Sequence, residues 1–219
     1  RRLIHAVLGV ARETGPNLLQ VNLSNLFEVE LRLGHLNAAR SVAAEATELH
    51  QQRQWRRFAG MPSFMAGRLA AADGHPARAA ALLERAAAEF GDTDVGYALA
   101  AWAHAALARL AARQPRKALT LTVRATALHR RTGLATLNGG EPVTLWWAHG
   151  CALRADRQRA EGHLALAQAY RLLLEAVRPL GDEGLRRNHL NKKSECRAVV
   201  RAWIAEARER ALPRAEWTA

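Results

Sequence analysis

A pair of small residues seven positions apart recurs four times along this chain, at intervals of about 40 residues. Two positions seven apart lie on nearly the same side of an α-helix, and small side chains there let a neighbouring helix approach closely. The recurrence therefore predicts four helical hairpins, each pair marking the second helix of its hairpin. The pairs are Ala39 and Ala46, Ala79 and Ala86, Ala118 and Ala125, and Gly162 and Ala169.

The first helix of each hairpin is predicted from the residues sixteen and twelve positions before the small residue that begins each pair. In the fourth unit these are Trp146 and Gly150, a large residue followed four positions later by a small one. That arrangement is the usual contact of one helix of a hairpin with the next. The corresponding residues of the first three units are Leu23 and Phe27, Ser63 and Gly67, and Trp102 and Ala106.

The remaining sequence favours an all-α chain. Aromatic residues make up only 5% of it, and apolar residues recur at intervals of three and four within stretches rich in Ala, Leu, Arg and Glu. Glycine and proline divide these stretches into about nine or ten helical segments. The predicted breaks lie at Gly34, Gly74, Gly91, Pro115, residues 132–142, Gly181 and Pro213.

The four units resemble the tetratricopeptide repeat, whose pattern runs W-x2-L-G-x2-Y and continues with alanine, an aromatic residue and alanine. The fourth unit matches best, with Trp146, Gly150, Leu153, Gly162 and Ala169 in order. The resemblance implies an all-α, right-handed α-solenoid of about four TPR-like helical hairpins with a terminal capping helix. Because the period is nearer 40 than the roughly 34 residues of the standard repeat, we expect longer helices or linkers.

The resemblance makes the whole chain, 1–219, a single repeat domain. We expect the four repeats at about 16–53, 54–91, 93–133 and 142–178, and the capping helices at 181–212. The last segment carries an apolar stripe at helical spacing, which predicts a helix that docks on the final repeat. The stripe residues are Cys196, Val199, Val200, Trp203, Ile204 and Ala207. The chain starts without methionine and within a helical pattern, so we expect a fragment of a longer bacterial signalling or transcriptional regulatory protein.

In tetratricopeptide arrays the first helices of successive hairpins line a concave groove that holds a peptide or a partner domain. The resemblance assigns this groove to a mixed apolar and arginine surface, which suits an extended or helical acidic peptide. An opposite interpretation is equally open at this point: Phe64, Leu107 and Leu110 are core residues of a tightly wound superhelix. The groove residues are Ser24, Glu28, Arg32, Met61, Phe64, Arg68, Leu107, Leu110, Trp147, Cys151 and Arg154.

The formal net charge of +12 raises a second possibility, binding of nucleic acid or another acidic ligand. Of the 32 basic residues, 29 are arginines spread along the chain, a distribution that solvated helix faces encoded by a GC-rich genome would also have. The densest positive run either meets phosphate or forms the polar outer face of a capping helix. No recognition helix or base-stacking aromatic run accompanies it, so a protein partner, or other domains of the same chain, is favoured. The basic run comprises Arg186, Arg187, Lys192 and Lys193.

The sequence holds no pattern that predicts catalysis, a metal or a cofactor. Phosphate-binding and nucleophile-elbow motifs are missing, and most carboxylates lie three or four residues from an arginine, where helix pairing explains them. His149, Cys151 and His163 have the composition of metal ligands, but positions two apart on a helix point about 200° apart, so the first two do not converge. We therefore expect a non-catalytic module with no cofactor and no metal, in which His149 is a packed residue.

Cysteine content and hydropathy indicate the compartment. Two cysteines in a chain of 219 residues indicate reduced thiols rather than a disulfide framework. No run of about 18 apolar residues occurs, as a membrane span would require. We therefore expect a cytoplasmic protein with no membrane partner.

Overall fold

The computed structural model describes residues 15–53, 55–133, 137–138 and 140–213. Over these residues 82% of the chain is helical, in ten α-helices and one short 3-10 helix, and no strand forms. The prediction of an all-α chain is therefore confirmed.

Helix ends follow the glycine and proline positions. Five of the helices carry proline within their first two positions, where the missing N–H costs nothing and the fixed φ suits the helix. The 3-10 helix Arg56–Phe58 precedes the third α-helix. In chain order the α-helices are α1 Pro16–Arg32, α2 Leu36–Arg53, α3 Met61–Ala72, α4 Pro76–Phe90, α5 Val95–Ala111, α6 Pro115–Thr132, α7 Pro142–Ala155, α8 Arg159–Val177, α9 Glu183–Lys192 and α10 Ser194–Glu209.

The helices α1, α3, α5 and α7 end in the same turn. In each case the residue five positions before the first small residue of the recurring pair has a left-handed backbone. The φ angles are 76°, 78°, 57° and 66° at Gly34, Gly74, Arg113 and Arg157. The next amide donates to the carbonyl five residues earlier at 2.8–2.9 Å, which makes a Schellman motif. The helix α10 ends in the same motif, at Ala211. The repeat in sequence is thus matched by a repeat in backbone geometry.

The small residues of the repeat frame lie at helix contacts. Each of the seven alanines is at most 1% exposed, and Gly162 is buried. A methyl group added at Gly67 would lie 2.6 Å from Cγ of Leu83, and one added at Gly162 would lie 2.8 Å from Cγ of Arg154. Close packing of the two helices of a hairpin therefore depends on the absence of a side chain at these positions.

From α1 to α8, each helix packs against the next, and α5 also packs against α7. One apolar cluster extends from α1 to α5 and includes residues of α6 and α7. A second cluster joins α7 and α8 to α10. Between them lies a cluster whose buried members are all alanine, namely Ala106, Ala118, Ala148 and Ala152.

The helix α10 packs against α7 and α8 through the predicted apolar stripe. Cys196, Val199 and Ala207 are buried, and the other three stripe residues are half-buried. The helix α9 differs, because none of its ten residues is buried. Within the described ranges, no helix has both the length and the apolar character required to cross a membrane.

Candidate partner-binding cavity

A charged network joins the helices α1, α3 and α5. The guanidinium of Arg32 donates from Nε to Oε1 of Glu28 at 2.6 Å, and Arg68 donates from Nη1 and Nη2 to both carboxylate oxygens of Glu28 at 3.0 and 3.3 Å. Nη1 of Arg68 also lies 3.1 Å from Nε2 of His104. Three of the predicted groove residues therefore form one network, and the sequence analysis did not identify His104 as part of it.

The protonation of this network follows from its contacts. Burial alone would raise the pKa of Glu28, but the guanidinium groups of Arg68 and Arg32 outweigh that effect and hold the pKa below its usual value. Burial, followed by the charges of Arg68 and Arg32, lowers the pKa of His104 well below its usual value. His104 is therefore neutral near pH 7, and its Nε2 accepts the hydrogen bond from Arg68.

A cavity of about 180 Å³ lies beside this network. Five predicted groove residues line it: Ser24, Glu28, Arg32, Met61 and Phe64. Met61 and Phe64 are at most 3% exposed and form its apolar wall, whereas 42% of the Arg32 side chain is exposed. The cavity thus combines a buried apolar interior with an accessible cation.

The segment that precedes α7 closes one side of the cavity, through Leu137, Gly140 and Glu141. The side-chain amide of Asn138 donates to both carboxylate oxygens of Asp94 at 3.0 Å, and Asp94 also caps the start of α5 by accepting from the amide of Tyr97. Sequence reasoning missed this segment because its position depends on a contact between residues more than 40 positions apart.

The other predicted groove residues lie elsewhere. Leu107 is half-buried against the alanine cluster, and Trp147 is half-buried against the cluster that joins α7, α8 and α10. Arg154 forms an ion pair with Glu206 of α10. Cys151 is half-buried on α7, and burial raises its pKa to about 11, so it is a thiol near pH 7. The helix α10 therefore contacts α7 and α8, where the sequence predicted an open groove.

The basic run is divided between three exposed residues and one half-buried residue. Arg186, Arg187 and Lys192 are exposed. Arg187 donates to Glu183 at 3.0 Å, one helical turn earlier. Lys193 instead turns inward and forms an ion pair with Glu141.

The candidate ligands His149, Cys151 and His163 do not form a group. Nδ1 of His149 lies 3.0 Å from the hydroxyl of Thr122, and burial followed by the charge of Arg130 lowers its pKa to about 4. His149 is thus a packed residue, as predicted. His163 stacks on Trp203 with ring centroids 6.0 Å apart.

A different trio of potential ligands comes together in the described part of the chain. Glu141 before α7, His189 on α9 and Cys196 on α10 have ligand atoms within 4.8 Å of one another. Burial, reinforced by Glu141, raises the pKa of Cys196 to about 12. Burial and then Lys193 lower the pKa of His189. Among the described residues, these three side chains have the chemical types and the proximity that a metal ion would require.

Comparisons of this chain with protein-family models, with curated proteins and with solved structures find no match. Function therefore has to be inferred from the residues of the site and from their chemistry.

Proposed function

We propose that this chain is a non-catalytic interaction module that binds an acidic peptide segment, from a partner protein or from other domains of its own chain, in signalling or transcription regulation. Its architecture would be a right-handed α-solenoid of four TPR-like hairpins with a terminal cap. The shared Schellman turns at the ends of α1, α3, α5 and α7 and the buried small residues of the repeat frame support this architecture.

The observation that carries the proposal is the cavity at Glu28, Arg32, Met61 and Phe64. Its volume of about 180 Å³ is comparable to that of one large side chain. An apolar side chain of a peptide would enter between Met61 and Phe64, while a neighbouring carboxylate would pair with Arg32 at the rim. Of the three guanidinium nitrogens of Arg32, only Nε makes a hydrogen bond to a described residue. The two terminal nitrogens are left for such a carboxylate.

The overall charge favours the same class of partner. A net charge of +12 accelerates encounter with an acidic segment and disfavours a basic one. We therefore expect the selected peptides to combine Asp or Glu with a large apolar residue.

A peptide library displayed on phage tests this proposal, followed by fluorescence anisotropy with one selected, labelled peptide. Arg32→Glu reverses the rim charge, and Asn25→Trp places a large side chain at an exposed position that lines the cavity. We expect each change to weaken binding about tenfold or more. Arg78→Glu, the same charge reversal at an exposed position on α4, is the matched control and should stay within about twofold.

Two results would contradict the proposal. One is that no acidic peptide is enriched over the starting library. The other is that the selected peptide binds Arg32→Glu and Asn25→Trp as tightly as it binds the unaltered chain. Trp147→Ala combined with Arg154→Glu then measures whether the fourth hairpin contributes to the same binding.

Nucleic-acid binding is the alternative function, and the exposure of α9 is the observation that favours it. Arg186, Arg187 and Lys192 project from a helix with no buried residue. Binding of this kind would weaken steeply with salt and would be reduced by Lys192→Glu, whereas Arg32→Glu would have no larger effect than Arg78→Glu. A gel-shift titration with generic duplex DNA separates the two functions.

A further inference from the structure

Three side chains of the kinds that bind zinc meet where the segment before α7 contacts α9 and α10. We propose that Glu141, His189 and Cys196 bind one divalent transition-metal ion of the zinc class, through a carboxylate oxygen, an imidazole nitrogen and a thiolate sulfur. Their ligand atoms lie within 4.8 Å of one another. The three residues come from different elements, so an ion bound there would tie the capping helices to the start of α7.

The distances are close to those of a tetrahedral site. Oε2 of Glu141 lies 3.9 Å from Nε2 of His189 and 3.9 Å from Sγ of Cys196. Zinc bonds of about 2.0–2.3 Å at tetrahedral angles place ligand atoms roughly 3.3–3.8 Å apart. Small side-chain rotations would bring the three atoms to one ion without moving the backbone.

The orientation of each group also fits a metal ligand. Lys193 pairs with Oε1 of Glu141, whereas the oxygen that faces His189 and Cys196 is Oε2. Lys193 would thus hold the carboxylate from behind, in the manner of an outer-shell partner. Nε2 of His189 is buried, faces Oε2 of Glu141 and has no hydrogen-bond partner among the described residues, so an ion placed there would supply one.

The ligand set selects the metal class. A thiolate and an imidazole favour zinc or similar borderline-soft ions over magnesium and calcium, which prefer oxygen ligands. On binding, Cys196 releases its proton to solvent, and the proton of neutral His189 resides on Nδ1. Without an ion, Nδ1 accepts from Nζ of Lys193 at 3.4 Å, so binding at Nε2 moves the ring proton to Nδ1 and leaves Lys193 paired with Glu141 alone.

A cavity of about 420 Å³ adjoins the trio and is lined by both Glu141 and His189. Its other walls include Pro142, Val143 and Leu172. A site with three protein ligands leaves the fourth tetrahedral position open, and this cavity gives a water molecule access to it.

Cobalt titration of the full 219-residue chain, after treatment with a chelator, tests the site. Co²⁺ reports a sulfur ligand by a thiolate charge-transfer band in the near ultraviolet, and tetrahedral geometry by visible d–d bands. We expect one equivalent to bind and Zn²⁺ to displace it. Cys196→Ser should abolish the charge-transfer band, and both Cys196→Ser and His189→Ala should weaken Co²⁺ binding at least about tenfold.

The other cysteine of the chain provides the matched control. Cys151 is outside the trio, so Cys151→Ser should keep the band and the affinity of the unaltered chain. The proposal is overturned if the unaltered chain shows no charge-transfer band, if Cys196→Ser retains it, or if Cys151→Ser loses it.

Cys196 is only 1% exposed, so Cys196→Ser could lose the band through a defect in folding. A second measurement on His189→Ala therefore tests the site independently. His189 lies outside the buried core, and circular dichroism checks that His189→Ala keeps the helicity of the unaltered chain. Zn²⁺ should raise the melting temperature of the unaltered chain and of Cys151→Ser, but not that of His189→Ala. An equal rise in all three would show that the ion binds elsewhere.

Discussion

Two aromatic stacks of the same geometry lie in different regions of the molecule. Phe90 stacks on Tyr97 between α4 and α5, and Tyr170 stacks on Trp203 between α8 and α10, each with ring centroids 4.9 Å apart and planes inclined by 15°. Phe90 is completely buried. Phe64 packs edge-on against both rings of this stack, with centroid distances of 6.4 Å to Phe90 and 6.0 Å to Tyr97. Trp203 is half-buried and also stacks on His163.

Because their surroundings differ, we expect the two stacks to contribute different free energies in spite of their equal geometry. The Phe90 stack belongs to the apolar cluster that extends from α1 to α5, so its loss would open a cavity in a continuous core. The Trp203 stack joins α10 to α8, and its neighbour His163 contacts the charged groups of Glu206 and Arg210. We expect the first stack to stabilise the whole fold and the second to stabilise the attachment of α9 and α10.

The largest expected effect is that of removing one ring from each stack. Phe90→Ala should lower the free energy of unfolding by about 3–5 kcal/mol, because it removes a buried ring and leaves a cavity. Trp203→Ala should cost less, about 1–3 kcal/mol, because part of the indole is already in water. Urea denaturation measures both, and hydrogen exchange should show Trp203→Ala losing protection in α9 and α10 alone. Equal losses of unfolding free energy in Phe90→Ala and Trp203→Ala would mean that both regions unfold as one unit.

A glycine in each region provides the second comparison. A methyl group at Gly60 would lie 2.5 Å from the carbonyl oxygen of Ala86, a backbone atom that cannot swing away. Gly60→Ala should therefore destabilise the fold by about 1–3 kcal/mol through overpacking. At Gly150 the nearest atom would be 3.4 Å away, so Gly150→Ala should be neutral or gain up to about 1 kcal/mol from helix propensity.

Thermal denaturation of the two alanine variants checks this difference. If Gly150→Ala lost as much thermal stability as Gly60→Ala, the expected difference would be contradicted, since α7 and α8 would then be closer together than the structure shows.

The third comparison is the pH response of His104 and His149, one in each region. Burial is the main cause that lowers the pKa of both, to about 4 in His149 and well below its usual value in His104. Below about pH 6.5 the unfolded chain binds a proton at these residues while the folded chain does not, so stability falls as the pH falls. Each histidine adds at most about 1.4 kcal/mol per pH unit to that slope.

Unfolding free energies measured from pH 8 to pH 5 test this response. His104→Gln and His149→Gln should each reduce the slope between pH 6.5 and 5, relative to the unaltered chain. Between pH 8 and 7 the slopes of the variants and the unaltered chain should coincide, which is the internal control. A slope unchanged by both substitutions would contradict the neutral state of these histidines.

The smallest expected effect concerns the turn that ends the first helix of a hairpin. Gly74 and Arg157 occupy the same frame position with φ of 78° and 66°, a conformation that costs a residue with a side chain about 1–2 kcal/mol. Gly74→Ala should lower stability by about 1 kcal/mol. Arg157→Gly should raise it by about 0.5 kcal/mol, after the greater freedom of glycine in the unfolded chain is subtracted. Urea denaturation of the two variants should shift in opposite directions.

The repeat frame shows how much of the fold was predictable. Helix ends at glycine and proline, and the burial of small residues seven apart, depend on local backbone preferences and helical periodicity, which the order of residues contains. The candidate sites were less predictable. Glu28 and Arg32 line a cavity and Trp147 does not, although one frame assigned all three to a groove.

The sequence by itself therefore determined the all-α class, the positions of the turns and the faces on which helices meet. Only the tertiary structure decided which polar groups converge. Lys192 and Lys193 are neighbours in the run that the sequence treated as one basic patch, yet Lys192 is exposed and Lys193 pairs with Glu141. Glu141, His189 and Cys196 likewise belong to three elements, and no spacing along the chain relates them. Helical periodicity orders residues within one helix, whereas the approach of distant side chains depends on how the helices cross.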